Sequence, residues 1–192
     1  KKQDNITAVF LGDGATEEGV FFESLDFAAL KQIPILFVCE NNFYSVYSNL
    51  RVRQAKNRDI SKLAESHGIK SYKGNGNNIN QVYSLADKAI KYIKKTKGPA
   101  FVELETFRWL EHCGPNWDDN IGYREDGELL KWMDLCPIKS LEQDILESSI
   151  MQSDDISIIK NKITKEIDKV FDYANKSSFP KISMMNEHIY KD

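Results

Sequence analysis

Two polar motifs, each placed directly after an apolar run, constrain the fold more than any other feature of this sequence. A Gly-Asp-Gly motif at residues 12–14 follows the apolar run 7–11, and an Asn-Asn pair at 41–42 follows the apolar run 35–39. The 26 residues between the motifs have room for one helix and one strand. A parallel strand–helix–strand unit brings both strand ends to the same edge of its sheet. We therefore expect a carboxylate and an amide to meet at that edge.

Asp13 and Asn42 are the side chains that these motifs place at the sheet edge. Carboxylate and amide oxygens are the hard ligands that Mg²⁺ prefers, often together with a phosphate group. The pair therefore predicts a Mg²⁺ that holds a diphosphate. Each motif taken alone is also explained as a turn, because glycine tolerates positive φ and aspartate accepts hydrogen bonds from nearby amides. The joint spacing favours the metal site.

Size and composition exclude several classes of protein. A formal charge of −3 over 192 residues, with no stripe of Lys and Arg, does not favour a nucleic-acid partner. No apolar run approaches the roughly 18 residues that span a bilayer, and no signal-peptide pattern opens the chain, so we expect no membrane association. The three cysteines lack metal-ligand spacing and are typical of free thiols in a reducing compartment. We therefore expect a cytoplasmic protein.

Strand-like and helix-like segments alternate along the chain, which predicts an α/β fold with a parallel sheet flanked by helices. The helix at about 17–32 is apolar nearly all round, so we expect it to be buried on more than one side, against the sheet and against a partner. The segment 109–136 is longer than an ordinary loop, and we expect it to be functional or disordered. The predicted strands lie at about 6–12, 34–40, 69–72 and 101–107, and the predicted helices at about 17–32, 59–67, 79–96, 138–148 and 155–175.

The number of strands bears on how complete the domain is. A parallel sheet that carries a cofactor normally needs five or six strands, and about four are predicted here, in a chain that begins without methionine. We therefore expect a single domain over residues 1–192 whose amino-terminal part is missing, with carboxyl-terminal helices from about residue 138.

The two motifs and their surroundings resemble a known family. Their spacing matches the signature of enzymes that use thiamine diphosphate, and the stretches 12–19, 26–30 and 39–44 resemble the alpha subunit of thiamine-dependent 2-oxo-acid dehydrogenases. These are the decarboxylating components of the pyruvate, branched-chain 2-oxo-acid and acetoin dehydrogenase complexes. The similarity covers nearly the whole chain, as the carboxyl-terminal two-thirds of such a subunit. It continues through Gly76-Asn77, Gly98-Pro99, Glu103, Arg108 to His112, Tyr123-Arg124, Pro137-Ile138, Phe179-Pro180 and Tyr190.

The resemblance implies a thiamine diphosphate-binding fold and a set of cofactor ligands. It makes the Asp13 carboxylate, the Asn42 side chain and the Tyr44 backbone carbonyl the ligands of Mg²⁺. It also implies that the backbone amides of Gly14 and Ala15 bind the diphosphate near the start of the following helix, where unpaired N–H groups favour anions.

The resemblance also assigns two residues of the family's mobile active-site loop. His112 matches a histidine that contacts the diphosphate and assists acyl transfer, and Arg108 lies four residues earlier as a further cofactor contact. A lone histidine is commonly a loop residue without a role. The Arg-x-x-x-His context favours a catalytic role for His112.

The sequence departs from the family pattern at several positions. Cys113 stands where mitochondrial members have a regulatory serine, so we do not expect phosphorylation control by that route. Cys136 replaces the usual aspartate before Pro-Ile, and the stretch 113–119 differs from the pyruvate enzymes. These differences leave the substrate open.

The resemblance implies oxidative decarboxylation of a 2-oxo acid, or cleavage of acetoin, followed by acyl transfer to a lipoyl domain. In the family the active site is shared with a beta subunit in an α₂β₂ assembly, and the acceptor is a lipoyl-bearing acyltransferase. Two alternatives remain. A transketolase-like or carboligating enzyme is disfavoured by the Arg108–His112 loop, and a non-catalytic cofactor-binding or assembly subunit is disfavoured by the intact Asp13 and Asn42.

Overall fold

The computed structural model describes residues 5–187 and 189, so Tyr190 of the resemblance lies outside the described residues. The chain forms two compact units, residues 1–141 and 142–192, and each is described by itself. No described residue of the second unit is buried. A domain has its own core, and the described residues of the second unit form none. The division into two units therefore does not contradict the expectation of a single domain, which stays a prediction.

The first unit is built on a four-stranded parallel sheet with the order β1-β2-β6-β5. A separate antiparallel hairpin, made of β3 and β4, follows β2. The strands are β1 (Thr7–Gly12), β2 (Ile35–Asn41), β3 (Tyr44–Ser45), β4 (Ser48–Asn49), β5 (Lys70–Asn75) and β6 (Ala100–Glu105).

Helices connect the strands, and the expected α/β fold with a parallel sheet flanked by helices is confirmed. In the first unit α4 begins after Asn78, whose side chain accepts a hydrogen bond from the Gln81 amide at 2.9 Å and so caps the helix. The helices are α1 (Gly19–Lys31), α2 (Leu50–Arg53), α3 (Ile60–Ser66), α4 (Ile79–Thr96), α5 (Glu128–Asp134), α6 (Pro137–Glu147) and α7 (Ser153–Lys176). Short 3₁₀ turns occur at Asp13–Glu17, Asp119–Ile121 and Ile182–Asn186.

The parallel sheet has an apolar layer on each face, because successive residues of a strand point to opposite sides. Phe101 of β6 packs towards α1 and α3, and its neighbour Val102 packs towards α4. β2 is buried on both faces, as the unbroken apolar run predicts for a central strand. The α1/α3 layer contains Phe21, Leu25, Ala28, Phe37, Cys39, Ile60, Ala64, Ile69 and Phe101, and the α4 layer contains Leu36, Val38, Ala89, Ile93, Ala100 and Val102.

The first helix differs from its expectation in two ways. It begins at Gly19, because residues 13–17 form a 3₁₀ turn and Glu18 has extended backbone angles of −81° and 142°. Within this chain it buries only one face, which carries Phe21 and Leu25, while Val20 is 67% exposed and Leu30 is 78% exposed. The expectation of burial on more than one side is therefore not met by contacts within the chain.

Two other segments differ from what the sequence led us to expect. β5 continues beyond its predicted end at about residue 72 to Asn75, because Gly74 and Asn75 pair with β6. A Cβ at Gly74 would lie 2.5 Å from the Leu85 side chain, so the glycine lets α4 pack closely on this strand. The segment 109–136 contains a 3₁₀ turn and α5, so it is neither disordered nor without structure of its own.

Candidate functional site

The two polar motifs lie side by side at the carboxyl edge of the sheet. Gly12, the last residue of β1, pairs with Glu40, and Asn41, the last residue of β2, pairs with Glu105. Asp13 and Asn42 therefore each follow directly after a strand end, on neighbouring strands that lie about 4.8 Å apart. Both residues thus lie at the same edge of the sheet, as expected, and their joint binding of a metal ion stays a prediction.

Asp13 is a buried carboxylate with one oxygen unused. Its side chain is 1% exposed, and its Oδ2 forms an ion pair with Arg53. Its Oδ1 has no hydrogen-bond partner among the described residues. An unpaired buried oxygen is costly, so such an atom calls for an explanation, and a cation ligand is one. The chemistry of the donor set therefore fits a divalent ion at Oδ1.

Arg53 was not identified from the sequence, although it organises the whole turn at Asp13–Glu17. It also pairs with Glu17, and its Nε donates a hydrogen bond to the Ser48 carbonyl at 3.0 Å. Gln54 Nε2 donates to Glu17 at 2.8 Å. The contacts of Arg53 and Gln54 with Glu17 join residues at least 36 positions apart, so no local pattern signals them. A cation bound at Asp13 has to share that carboxylate with the guanidinium of Arg53.

The residues expected to hold a diphosphate lie in the same turn. A Cβ at Gly14 would lie 2.7 Å from Ser45 Oγ and 2.9 Å from Ser45 Cβ. Glycine is therefore required here by the close approach of the β3–β4 hairpin. Ala15 is exposed. The diphosphate contacts of Gly14 and Ala15 stay predictions.

The Asn41–Tyr44 turn is shaped by two side-chain amides. Asn41 Oδ1 accepts a hydrogen bond from the Phe43 amide at 3.2 Å, and Asn42 Oδ1 accepts one from the Tyr44 amide at 3.0 Å. Phe43 has φ of +66°, which is uncommon for a bulky residue and marks a constrained turn. The Asn42 carbonyl oxygen has a second lone pair, so its hydrogen bond to Tyr44 leaves it able to bind a metal ion.

Tyr44 ties this turn to the segment that follows β6. Its hydroxyl donates a hydrogen bond to Glu128 of α5 at 2.6 Å. Its ring packs edge-on against Phe107 and Tyr123, with centroid distances of 6.1 and 5.5 Å. Burial, together with the hydrogen bond to Glu128, raises the pKa of Tyr44 to about 12. The hydroxyl is thus structural, while the backbone carbonyl stays the predicted metal ligand.

Arg108 reaches the same region, whereas His112 does not make a defined contact. Arg108 Nη2 donates to the Val46 carbonyl and to the Tyr123 hydroxyl, both at 3.0 Å. Its Nη1 is buried and has no hydrogen-bond partner among the described residues. This donor is therefore free to bind an anion. His112 is exposed, and the described residues provide it with no hydrogen-bond partner. The structure therefore attaches Arg108, but not His112, to the hairpin beyond Asn42.

A buried ion pair that the sequence did not indicate holds the loop of Arg108. Arg124 Nη1 lies 3.1 Å from Asp118 Oδ1, with both side chains almost fully buried. Asp118 Oδ2 accepts a hydrogen bond from the Tyr123 hydroxyl at 2.7 Å, and the Arg124 guanidinium lies 4.9 Å from the Phe107 ring centroid. The match of Tyr123-Arg124 to the family pattern was the signal that could have identified these residues.

Two negative findings concern the described part of the chain. Its histidine, cysteine, aspartate and glutamate side chains form no group of three or more that could hold a metal ion. The predicted Mg²⁺ ligands are one carboxylate, one side-chain amide and one backbone carbonyl. Only the carboxylate belongs to these four side-chain types, so the finding does not bear on the predicted set. Among the described helices, none combines the length and apolarity that crossing a membrane requires.

Comparison with known proteins identifies similar chains. The chain is 31% identical over 187 residues to the pyruvate dehydrogenase E1 component subunit alpha of Porphyra purpurea, which covers 97% of this chain and 53% of that protein. It is 28% identical over 187 residues to the same subunit of Rickettsia bellii, and the match covers 97% of this chain and 56% of that protein. It is 29% identical over 189 residues to the chloroplastic subunit alpha-3 of Arabidopsis thaliana, with 98% and 43% covered.

The chain thus spans about half the length of the curated relatives it matches, which is less than the expected two-thirds. A family model described as the dehydrogenase E1 component matches residues 1–183. Since that match includes nearly all of the 192 residues, the chain belongs to the dehydrogenase E1 component family.

Proposed function

We propose that the chain is part of the alpha subunit of a thiamine diphosphate-dependent 2-oxo-acid dehydrogenase. The observation that carries the proposal is the unpartnered, buried Oδ1 of Asp13, which lies at the carboxyl end of β1 beside the Asn42 turn. The names of the relatives, all pyruvate dehydrogenase alpha subunits, support the same reaction class.

In this proposal Mg²⁺ is held by the Asp13 carboxylate, the Asn42 side-chain oxygen and the Tyr44 backbone carbonyl. The backbone amides of Gly14 and Ala15 donate to the diphosphate. The chemistry that thiamine diphosphate supplies when bound is stabilisation of the carbanion left by loss of carbon dioxide.

The chain's own charged residues prepare the site for an anion. Arg108 offers the buried Nη1 donor that has no partner among the described residues. Arg53 has five N–H donors, three of which contact Ser48, Glu17 and Asp13. Its single positive charge partly offsets the two negative charges of Asp13 and Glu17 beside the turn. His112, on an exposed loop, is the candidate for proton handling during acyl transfer.

The wider assembly and the substrate follow from the resemblance and from the relatives' names. We place the active site at an interface with a beta subunit in an α₂β₂ assembly. A lipoyl-bearing acyltransferase accepts the acyl group, and the substrate is a 2-oxo acid or acetoin. A cytoplasmic location remains part of the proposal.

Cofactor binding is tested with the natural full-length protein and the Asp13→Asn variant. Thiamine diphosphate at about 100 times its Kd, with Mg²⁺, should stabilise the wild type by about 2.7 kcal/mol, which is read as a rise in Tm. Asp13→Asn should show no rise, because the amide lacks the charge that binds Mg²⁺. Asp26→Asn is the matched control, since Asp26 of α1 is exposed and pairs with His67, away from the turn at Asp13. An equal rise in Asp13→Asn, or no rise in the wild type, would refute the proposed site.

The reaction class is tested separately, with the beta subunit present. A dehydrogenase should reduce a dye in a 2-oxo-acid-dependent reaction and should acylate an added lipoyl domain. A carboligating enzyme should form the same condensed product from pyruvate whether or not the lipoyl domain is present. A non-catalytic subunit should bind the cofactor but should neither reduce the dye nor acylate the lipoyl domain.

A further inference from the structure

Glu103 is a buried carboxylate in the middle of β6, where a strand normally places an apolar side chain. It is 1% exposed and pairs in register with Cys39 of β2. Two residues earlier on β6 is Phe101, which belongs to the apolar layer against α1 and α3. Burying a charge costs several kcal/mol unless it is paired and hydrogen-bonded. A carboxylate at this position therefore needs a compensating set of contacts.

Four donors surround the Glu103 carboxylate. Its Oε2 accepts hydrogen bonds from the Ser61 amide at 3.1 Å and from Ser61 Oγ at 2.7 Å. Its Oε1 accepts from Asn41 Nδ2 at 2.9 Å and from Lys73 Nζ at 3.1 Å. Burial lowers the pKa of Lys73, but its hydrogen bond to Glu105 and the charge of Glu103 outweigh this and raise it, so Lys73 is a cation.

The contact with Glu103 determines which way the Asn41 amide points. A carboxylate only accepts hydrogen bonds, so the NH₂ group of Asn41 has to face Glu103. The Asn41 oxygen then faces the other way and accepts the Phe43 amide at 3.2 Å. The Asn41 backbone carbonyl is held by the Thr106 amide at 2.9 Å. The conformation of the turn at Phe43 therefore depends on a carboxylate two strands away from Asp13.

We propose that Glu103 is a positioning residue that acts through Asn41 to fix the turn presenting the Asn42 amide and the Tyr44 carbonyl to the divalent cation. The inference rests on the proposed function, because it concerns the same metal site. It adds a residue that touches neither the metal nor the cofactor. Groups of this kind orient ligands, and their replacement typically lowers metal affinity 10- to 100-fold.

The substitution Glu103→Gln changes the hydrogen-bonding groups of the side chain and nearly keeps its size. Gln is nearly isosteric, but an NH₂ group replaces one carboxylate oxygen. If that NH₂ faces Asn41, two donors meet, and Asn41 has to turn and present its own NH₂ to the Phe43 amide. If it faces Ser61, the contact with the Ser61 amide is lost. The first arrangement disturbs the turn directly, and both remove the charge that anchors it.

The matched control is Ser61→Ala, which removes a hydrogen bond from the other oxygen of the same carboxylate and leaves the Asn41 contact in place. The readout is Mn²⁺ bound in place of Mg²⁺, counted by electron paramagnetic resonance with saturating thiamine diphosphate on the natural full-length protein. Glu103→Gln should weaken Mn²⁺ binding at least tenfold, whereas Ser61→Ala should change it less than threefold, although both lower the Tm.

Asn41→Ala breaks the same link at its other end and serves if Glu103→Gln does not fold. It should also weaken Mn²⁺ binding at least tenfold, while Glu103 keeps its contacts with Ser61 and Lys73. Wild-type affinity in a folded Asn41→Ala variant would overturn the positioning role alone, whatever the affinity of Glu103→Gln, in which the Gln oxygen can still face Asn41. Absence of diphosphate-dependent Mn²⁺ binding in the wild type would overturn the proposed function and the positioning role with it.

Discussion

Tyr44→Phe should lower stability without weakening metal binding. The substitution removes one hydroxyl that donates to Glu128 at 2.6 Å and keeps the ring packed against Phe107 and Tyr123. A hydrogen bond to a charged group contributes about 1.5–3 kcal/mol, and Glu128 is partly exposed, so the lower end applies. We expect a loss of about 1.5 kcal/mol in the free energy of unfolding, or roughly 5 °C in Tm.

A double-mutant cycle, followed by urea denaturation, measures the free energy of the hydrogen bond between Tyr44 and Glu128. Tyr44→Phe and Glu128→Ala should each destabilise the chain, and the double variant should lose less than the sum of the two, with a coupling of about 1 kcal/mol. Glu128 also lies 3.4 Å from the Glu125 amide, and this contact is present in both Tyr44 backgrounds. A coupling indistinguishable from zero would refute the assignment of the hydroxyl to Glu128.

The pH dependence of this difference has a defined sign. Burial and the Glu128 hydrogen bond raise the pKa of Tyr44 in the folded chain to about 12, from its ordinary value of 10.0. A raised pKa means that the stabilisation is fully present below pH 10 and is lost as the pH rises through about 12. The deficit of Tyr44→Phe should therefore shrink between pH 10 and pH 12. A deficit that grows over this range would contradict the reasoning.

The same variant tests which atom of Tyr44 binds the metal. The backbone carbonyl is unchanged in Tyr44→Phe, so the Mg²⁺-dependent rise in Tm with thiamine diphosphate should equal that of the wild type, within about threefold in apparent Kd. A tenfold weaker Kd in a folded variant would show that the hydroxyl, not the carbonyl, contributes to the site.

Three further predictions concern the fold. Leu25→Ala should cost about 3 kcal/mol in urea denaturation, because Leu25 is fully buried, whereas Leu30→Ala on the exposed face of the same helix should cost less than about 0.5 kcal/mol; equal losses would contradict the packing. Val46→Gly should raise the free energy of unfolding by about 0.5–1 kcal/mol, because Val46 has φ of +55° at the first position of a two-residue hairpin loop, and a decrease would argue against strain there. A thiol reagent at pH 8 should label one cysteine per native chain, the exposed Cys113, since burial and the nearby carboxylates raise the pKa of Cys39 far above that pH; rapid labelling of Cys39 would refute this.

Local patterns predicted some elements with correct ends. α4 was expected at about 79–96 and spans Ile79–Thr96, because its amphipathic period, the Asn78 cap and the Gly98-Pro99 stop are all written into one stretch of sequence. The strands on either side of the Gly-Asp-Gly motif were likewise placed within about one residue. Their ends depend on the change from an apolar run to polar turn residues.

Elements defined by pairing with distant residues were predicted less well. The β3–β4 hairpin and α2 lie between the predicted strand at about 34–40 and the predicted helix at about 59–67, where no element was predicted. Two-residue strands have too few positions for a period-2 pattern to show. The start of α1 was placed about two residues early, because the 3₁₀ turn before it is also held by Arg53 and Gln54, which lie far away in the sequence.

The sequence by itself determined the α/β class, the parallel strand–helix–strand unit and the position of Asp13 and Asn42 at the ends of neighbouring strands. These features depend on apolar period and turn chemistry, which act over a few residues. Only the tertiary structure decided that Arg53 holds Asp13 and that Glu103 orients Asn41. Those contacts join residues 40 and 62 positions apart, and a buried charge selects its partners by proximity in space, which no local pattern encodes.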